Sequence, residues 1–265
     1  MTRNLSSECA SCFGLCCVAL PYGKSADFPL DKDGGVPCKN LCSNHLCSIH
    51  DRLLDEGFKG CVTYECFGAG QHVSQGIYEG RGWQEDPKRA EEMFAVFPIV
   101  QQLHEMLSYL DQALCLKETE PFRDKLQILF DETVELTEQT PEEILRIDVV
   151  SHRFKVNEYL KETSRVYREG TPVRKRKPDY IGVNLKGQNL RGQDFRGTLM
   201  IAANLKGADA SKADFIGADL RDADLSGADL TGALFLTQSQ VNSAKGDKDT
   251  KLPERLRRPG HWERL

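Results

Sequence analysis

The sequence predicts a multidomain α+β chain with a cysteine-rich module, a helical middle region and a C-terminal region that coils on a five-residue period. Three observations predict this order. All of the 10 cysteines except Cys115 lie between residues 9 and 66. Apolar residues recur at helical spacing from residue 86 to 170. From residue 178 to 237 the period becomes five, which neither an α-helix nor a β-strand produces.

Composition narrows the class of protein. The chain has 265 residues, of which 28% are charged and 40% hydrophobic, with a net charge of -5, as in ordinary globular proteins. Its apolar runs are too short to cross a bilayer, and its start lacks the basic lead-in and cleavage site of a signal peptide. We therefore expect no membrane association and a reducing, cytoplasmic location, in which the cysteines stay as thiols.

The first predicted domain, residues 1–85, contains the cysteine cluster and few large apolar residues that could form a core. A disulfide framework is one interpretation, but an odd number of clustered cysteines and the missing secretion signal argue against it. A thiolate metal site is the other, because Cys9 and Cys12 have the spacing at which two sulfurs from one turn meet one ion. Since adjacent Cys16 and Cys17 point in different directions, both can be ligands only if there are two centres. If there is only one centre, one of these two cysteines is buried without binding the metal.

Four motifs in this domain are CASCFGLCC at 9–17, PCKNL at 37–41, CSIH at 47–50 and GCVTYEC at 60–66. They resemble the YkgJ-like family of zinc- or iron-chelating proteins. The resemblance implies a ligand set of Cys9, Cys12, Cys16, Cys17, Cys38, Cys47, Cys61 and Cys66. Two departures from the family pattern leave the metal open: three residues separate Cys12 from Cys16 where two are commoner, and His50 stands where an aromatic residue is expected.

The number of thiols sets the alternatives for the metal. Eight thiolates suit two four-coordinate zinc ions, which we favour, whereas four suit one [4Fe-4S] cluster, and iron remains the alternative. Cys42 has no counterpart in the family motifs. His45, His50 and His72 could each replace a thiolate, although an ordinary hydrogen-bonded histidine is the simpler interpretation.

The second predicted domain, residues 86–170, is helical. Asp86 followed by Pro87 starts the first helix, and Pro98 should kink it. A second helix is predicted at about 120–138. Residues 140–143 form a capping box for a third helix, whose buried face is predicted to carry Leu145, Ile147, Val150, Phe154, Val156 and Leu160. These helices should form a bundle or pack on the cysteine region. No pair of side chains suggests catalysis, so we favour a protein that is not an enzyme and leave the question open.

The third predicted domain, residues 178–237, repeats every five residues. Every fifth residue from Tyr180 to Phe235 is apolar, and Asn or Asp commonly comes directly before it. From Ala203 to Ala233 an alanine also precedes it by two places. This pattern predicts a coil in which each repeat forms one side of a square, with the large and small residues inside. Glycines recur where the corners would require positive φ.

The sequences ANLKG at 203–207, ADLSG at 223–227 and ADLTG at 228–232 resemble the pentapeptide-repeat family. The resemblance implies a right-handed quadrilateral β-helix, a solenoid of about three coils. Residues 171–177 are predicted to be a basic linker. Residues 238–265 are predicted to cover the open end of the coil, with Trp262 as the plug.

The predicted function is that of a binding or interaction module with a thiolate-bound zinc or iron site and a protein partner. An iron–sulfur redox or maturation enzyme is one alternative. A DNA-mimicking protein that interacts with DNA gyrase, a topoisomerase, is another, but mimicry requires a long anionic surface. This repeat is short and carries five cations predicted to point outward: Lys186, Arg191, Arg196, Lys206 and Arg221. We do not expect nucleic acid as a partner, and the oligomeric state is left open.

Overall fold

The computed structural model describes residues 4–172, 177 and 179–264, and it divides into two compact units. The first unit extends to Cys115 and includes Glu120–Leu160, and the second contains Leu116–Thr119 and the chain from Lys161 onward. Most of the predicted basic linker, residues 173–176, lies outside the described residues.

The regular elements are helices. In chain order the α-helices are α1 (Leu15–Val18), α2 (Lys59–Thr63), α3 (Ala69–Gln71), α4 (Pro87–Leu114), α5 (Arg123–Thr137), α6 (Pro141–Ile144), α7 (Val149–Tyr167) and α8 (Gln238–Ser243). A π-helix (His72–Ile77) follows α3, and the 3-10 helices are Cys9–Ser11, His50–Arg52, Trp83–Glu85, Lys117–Phe122 and Gly260–Arg264.

Helix α4 lies at the centre of the first unit. Its predicted start is confirmed: Pro87 is the first helical residue, and the Asp86 carboxylate accepts a hydrogen bond from the Lys88 amide at 2.9 Å. The helix continues through Pro98 and contacts α1, α3, α5 and α6. Met93 and Phe97 pack there with Leu15 of α1, so the helical and cysteine-rich segments share one core.

The predicted third helix is interrupted. Its capping box is confirmed at Thr140 and Glu143, but α6 ends at Ile144, and Asp148 then caps α7 by accepting a hydrogen bond from the Ser151 amide at 3.0 Å. The interruption changes which face points inward. Val156 and Leu160 are buried as predicted, whereas the predictions for Leu145, Val150 and Phe154 are wrong, since these are 42%, 64% and 68% exposed.

The cysteine-rich segment has a small core of its own, contrary to the expectation. Ile49, Leu53 and Phe58 are buried together, and the rings of Tyr22 and Phe28 stack beside them with centroids 4.3 Å apart. Local packing therefore contributes to the order of this segment.

Residues 179–237 are here called the repeat region. In this region the chain forms a coil in which residues twenty positions apart lie side by side. Isolated parallel bridges join Asp179 to Leu199, Asn184 to Asn204, and so on to Asp214 and Leu234. Backbone hydrogen bonds hold each turn on the next. For example, the Leu185 amide donates to the Asn204 carbonyl at 2.8 Å.

The predicted right-handed quadrilateral β-helix is wrong for the described residues, which contain no β-strand and no sheet. The fold class is corrected to helices together with a turn-rich repeat region. The physical reason is the corner turn in each repeat: the Val183 amide donates to the Tyr180 carbonyl, and the Gln188 amide to the Leu185 carbonyl. These turns leave one bridging residue per repeat, so neighbouring bridges do not join into a strand.

The predicted inward positions are confirmed by burial. Every fifth residue from Tyr180 to Phe235 is at most 8% exposed, and the alanines two places earlier are at most 5% exposed. The corner glycines have φ near +60°, as predicted. Ala202, Lys212 and Asp222 occupy equivalent corners with φ of 55°, 58° and 57°, so the fold imposes this conformation even without glycine.

The C-terminal segment closes the core of the repeat region. Trp262 is 1% exposed and packs with this core, as predicted, and its indole Nε1 donates to the Ala244 carbonyl at 3.0 Å. Gly246 lies directly against the indole: a Cβ at this position would lie 2.5 Å from Trp262 Cε3.

Within the described part of the chain, no helix is both long and apolar enough to cross a membrane.

The cysteine region as the candidate functional site

None of the ten cysteines forms a disulfide bond in the structure. The turn before α1 positions the central pair. Gly14 has φ of +68°, and a Cβ there would lie 2.7 Å from Leu41 Cδ1, so glycine lets the following loop pack against α1. The expectation that adjacent Cys16 and Cys17 point in different directions is wrong, because their Sγ atoms, in α1, lie 3.9 Å apart, within hydrogen-bond distance.

The first thiol group consists of Cys9, Cys12, Cys16 and Cys66. A Cβ at Gly70 would lie 2.7 Å from Cys12 Sγ and 3.7 Å from Cys66 Sγ, so the absence of a side chain in α3 leaves room for both sulfurs. Burial raises the pKa of Cys12 to about 11, and repulsion from Cys66 also raises it. Burial and then Cys66 raise the pKa of Cys9. The hydrogen bond with Cys17 raises the pKa of Cys16, with burial next and Cys12 and Cys9 contributing.

The second thiol group consists of Cys17, Cys38, Cys47 and Cys61. The Cys38 amide donates to the Cys17 carbonyl at 2.9 Å, which ties the loop carrying Cys38 to α1. The Cys61 residue is exposed overall, but its thiol is buried. Burial is the main cause that raises the pKa of Cys61 to about 12, and the thiols of Cys17, Cys38 and Cys47 raise this pKa further. These four thiols therefore lie close enough to repel one another when ionised.

Polar side chains surround the second group. The Tyr22 hydroxyl donates to Cys38 Sγ at 3.3 Å, and burial followed by this hydrogen bond raises the pKa of Tyr22. Lys32 is only 7% exposed, and its ammonium interacts electrostatically with Cys38 and Cys17. Sequence reasoning missed both residues, because neither belongs to a cysteine motif and their proximity arises from pairing of the segments around residues 22 and 32.

The first group has different neighbours. Tyr64 lies near Cys66, Cys16 and Cys12, and burial first and then these thiols raise its pKa. The Ser7 hydroxyl lies 2.9 Å from Cys66 Sγ and donates to the Glu65 carboxylate, which also raises the pKa of Cys9.

The candidate histidines have other roles. His72 Nε2 lies 2.9 Å from the Thr137 carbonyl oxygen, and the His45 ring packs 5.0 Å from the Phe13 ring, so both have ordinary contacts. His50 is exposed. Cys42 is exposed. It raises the pKa of Cys47, but burial and the thiols of Cys17 and Cys38 have a larger effect on that pKa, so Cys42 lies at the edge of the second group.

The two groups meet at Cys16 and Cys17, and Cys9 also interacts with Cys17 and Cys47. Among residues 4–172, 177 and 179–264, however, no group of three or more His, Cys, Asp or Glu side chains has converged on positions that could hold a metal ion. The structure brings all eight predicted thiols into one neighbourhood without showing coordination geometry.

The C-terminal repeats, and the chain as a whole, are similar to known proteins. A family model described as "Pentapeptide repeats" matches residues 181–215 and 198–235. Over 266 residues the chain is 59% identical to "Uncharacterized protein YybG" of Bacillus subtilis (strain 168), an alignment that covers 98% of this chain and 95% of YybG. The chain is a pentapeptide-repeat protein of the YybG family.

Part of this pentapeptide-repeat protein is similar to a solved structure. It is the crystal structure of the pentapeptide repeat protein Rfr23 from the cyanobacterium Cyanothece 51142, with 31% identity and a TM-score of 0.23. The similarity covers 28% of this chain and 53% of Rfr23. The resemblance of residues 9–66 to the YkgJ-like family stays a prediction.

Proposed function

We propose that this pentapeptide-repeat protein binds zinc through its N-terminal thiols and acts as a module that binds a protein partner. The observation that carries the proposal is the gathering of eight reduced cysteines, from segments as far apart as Cys9 and Cys66, in one compact unit.

The donor set suits zinc. Thiolates are soft ligands, and structural zinc sites with four sulfurs are four-coordinate, so one ion in each thiol group would use all eight. A bound cation would also offset the mutual repulsion of the buried thiolates. Gly70, where a side chain would fill the space beside Cys12 and Cys66, supports the fit.

The surface of the repeat region favours a protein partner over DNA mimicry. Several of its carboxylates are paired with cations, among them Asp214 with Arg196 at 3.0 Å and Asp224 with Lys206 at 3.2 Å. Arg196 is therefore a partly buried ion-pair partner, with a side chain 12% exposed, and not the outward residue that was predicted. Three apolar side chains of the repeat region are exposed, Ile181 at 49%, Val183 at 38% and Leu199 at 44%, and we propose that they take part in binding the partner.

Metal analysis tests the zinc proposal. Protein purified anaerobically under reducing conditions should contain about two zinc ions per chain. Replacing Cys9 and Cys12 together by Ser should remove metal from the first group and expose its segments to protease. The matched control, Cys115→Ser, changes a thiol outside both groups and should leave the metal content unchanged.

Two other outcomes are distinguishable from zinc binding. A brown, oxygen-sensitive protein that contains iron would favour the iron or [4Fe-4S] alternative. Less than about a tenth of an equivalent of any transition metal in a protease-resistant protein would refute metal binding, because structural sites bind zinc tightly.

Site-specific photo-cross-linking tests the interaction role. A photoreactive residue at Leu199 should give one discrete adduct with another protein in cells, whereas one at exposed Arg221 should not. Equal labelling from both positions would contradict a specific protein-binding surface.

A further inference from the structure

We infer that the two thiol groups release a bound metal ion at different rates. Because Lys32 lies beside the second group, that group releases its ion slowly, whereas the first group exchanges its ion readily. The inference rests on the proposed function, since it requires that both groups hold metal.

Lys32 is a fixed buried cation. Its Nζ donates to the carbonyl oxygens of Val18 at 3.1 Å, Asp33 at 2.9 Å and Val36 at 2.8 Å, so three backbone acceptors orient the three ammonium protons. The backbone of Lys32 also pairs with that of Tyr22 through hydrogen bonds in both directions, of 3.0 and 2.8 Å. The charge is therefore held in place and does not move freely in solvent.

This cation lies beside the second group. Two of the carbonyls that hold its Nζ belong to Val18, the residue after Cys17, and to Val36, two residues before Cys38. Burial lowers the pKa of Lys32, and Cys38 followed by Cys17 raises it. A buried ammonium whose hydrogen bonds go to neutral carbonyls still requires a nearby negative charge. Four thiolates around a divalent ion carry a net negative charge of about two, which Lys32 would partly offset.

The second group also has a hydrogen-bond donor, because the Tyr22 hydroxyl donates to Cys38 Sγ. Such outer contacts orient a ligand and typically change metal affinity by about 10- to 100-fold.

The first group has the opposite environment. The Glu65 carboxylate acts on Cys9 and is linked to Cys66 through Ser7, and the only thiol of this group that acts on Lys32 is Cys16, as the weakest of its causes. A carboxylate next to a metal–thiolate site that already carries a net negative charge lowers the stability of that site. The ion in the first group is therefore the one available for exchange with a partner or a small thiol.

Release kinetics test the inference. The full-length zinc-loaded protein is challenged with a chelator, and its mass is followed by native mass spectrometry. We expect two phases of one ion each. Lys32→Met should accelerate the slow phase by about 10- to 100-fold and leave the fast phase unchanged. Lys24→Met, which removes an exposed lysine two residues after Tyr22, should change neither phase.

The failures are distinguishable. Protein that carries no metal refutes the proposed function itself. Two ions released in a single phase, or a Lys32→Met variant that accelerates both phases equally, overturns the inference alone. If Lys32→Met does not fold, single serine variants decide: Cys12→Ser should remove the fast phase and Cys61→Ser the slow phase, and the reverse assignment overturns the inference.

Discussion

Trp262 should contribute more to the stability of the repeat region than any other side chain of the C-terminal segment. It is 1% exposed and donates its indole hydrogen to the Ala244 carbonyl. Trp262→Ala should cost about 3–5 kcal/mol for the lost burial and the cavity. It should cost about 1 kcal/mol more for the hydrogen bond. Gly246 has no side chain that could fill the space, so we expect a loss near the top of this range, and a midpoint lower by more than about 15 °C.

Urea unfolding followed by pulse proteolysis of the repeat region measures this loss. Trp262→Phe keeps most of the ring and should lie between the wild type and the alanine variant. Glu263→Ala, an exposed neighbour, should remain within about 0.5 kcal/mol of the wild type. A Trp262→Ala protein that unfolds within about 1 kcal/mol of the wild type would refute the idea that this residue seals the core.

Three further predictions follow from the described contacts. Leu220→Asp should unfold the repeat region by burying an unpaired charge, whereas Arg221→Asp next to it should be tolerated; equal thermal midpoints would show that the inward assignment is wrong. Burial lowers the pKa of His152 below 6.5, so its contribution to stability is present above that pH and lost as pH falls below it. His152→Asn should therefore lessen the loss of stability between about pH 7.5 and 5.5, and an unchanged loss would contradict this account. In a supercoiling assay the protein should not inhibit DNA gyrase, because several of its repeat carboxylates are paired with cations; inhibition at micromolar concentration would favour the DNA-mimic alternative.

The repeat region shows how far periodicity predicts structure. The five-residue pattern identified the buried apolar column from Tyr180 to Phe235, because a narrow core favours apolar side chains at regular positions. It did not identify buried polar residues such as Gln193 and Asp214. It did not predict the lack of strands, since this depends on the hydrogen bonds that close each corner. Lys212 shows the same limit: its φ of 58° is set by its place in the coil and not by its own preference.

The helical region shows what local signals can miss. The caps at Asp86 and Thr140 were read correctly because their hydrogen bonds involve residues two and three positions away. Asp148 carries the same kind of signal, with Ser151 three positions later, but it lies within an apolar pattern that suggested a continuous helix. Missing this cap shifted the predicted face and placed Phe154 inside.

The eight cysteines were selected as metal ligands by the resemblance to the YkgJ-like family, and their role as ligands stays a prediction. The structure brings them into one neighbourhood. The division into two groups depends on tertiary contacts, such as that between Cys12 and Cys66 beside Gly70. The position of Lys32 next to Cys17 and Cys38 likewise follows from packing, which no motif encodes.

The central claim is that the eight cysteines hold metal as thiolates, and X-ray absorption spectroscopy of the anaerobically purified protein tests it most directly. We expect zinc with about four sulfur ligands per ion at about 2.3 Å. Replacing Cys9 and Cys12 by Ser should halve the bound zinc and leave the remaining ions with the same four-sulfur shell. A spectrum dominated by nitrogen or oxygen ligands, or protein without a transition metal, would contradict the claim.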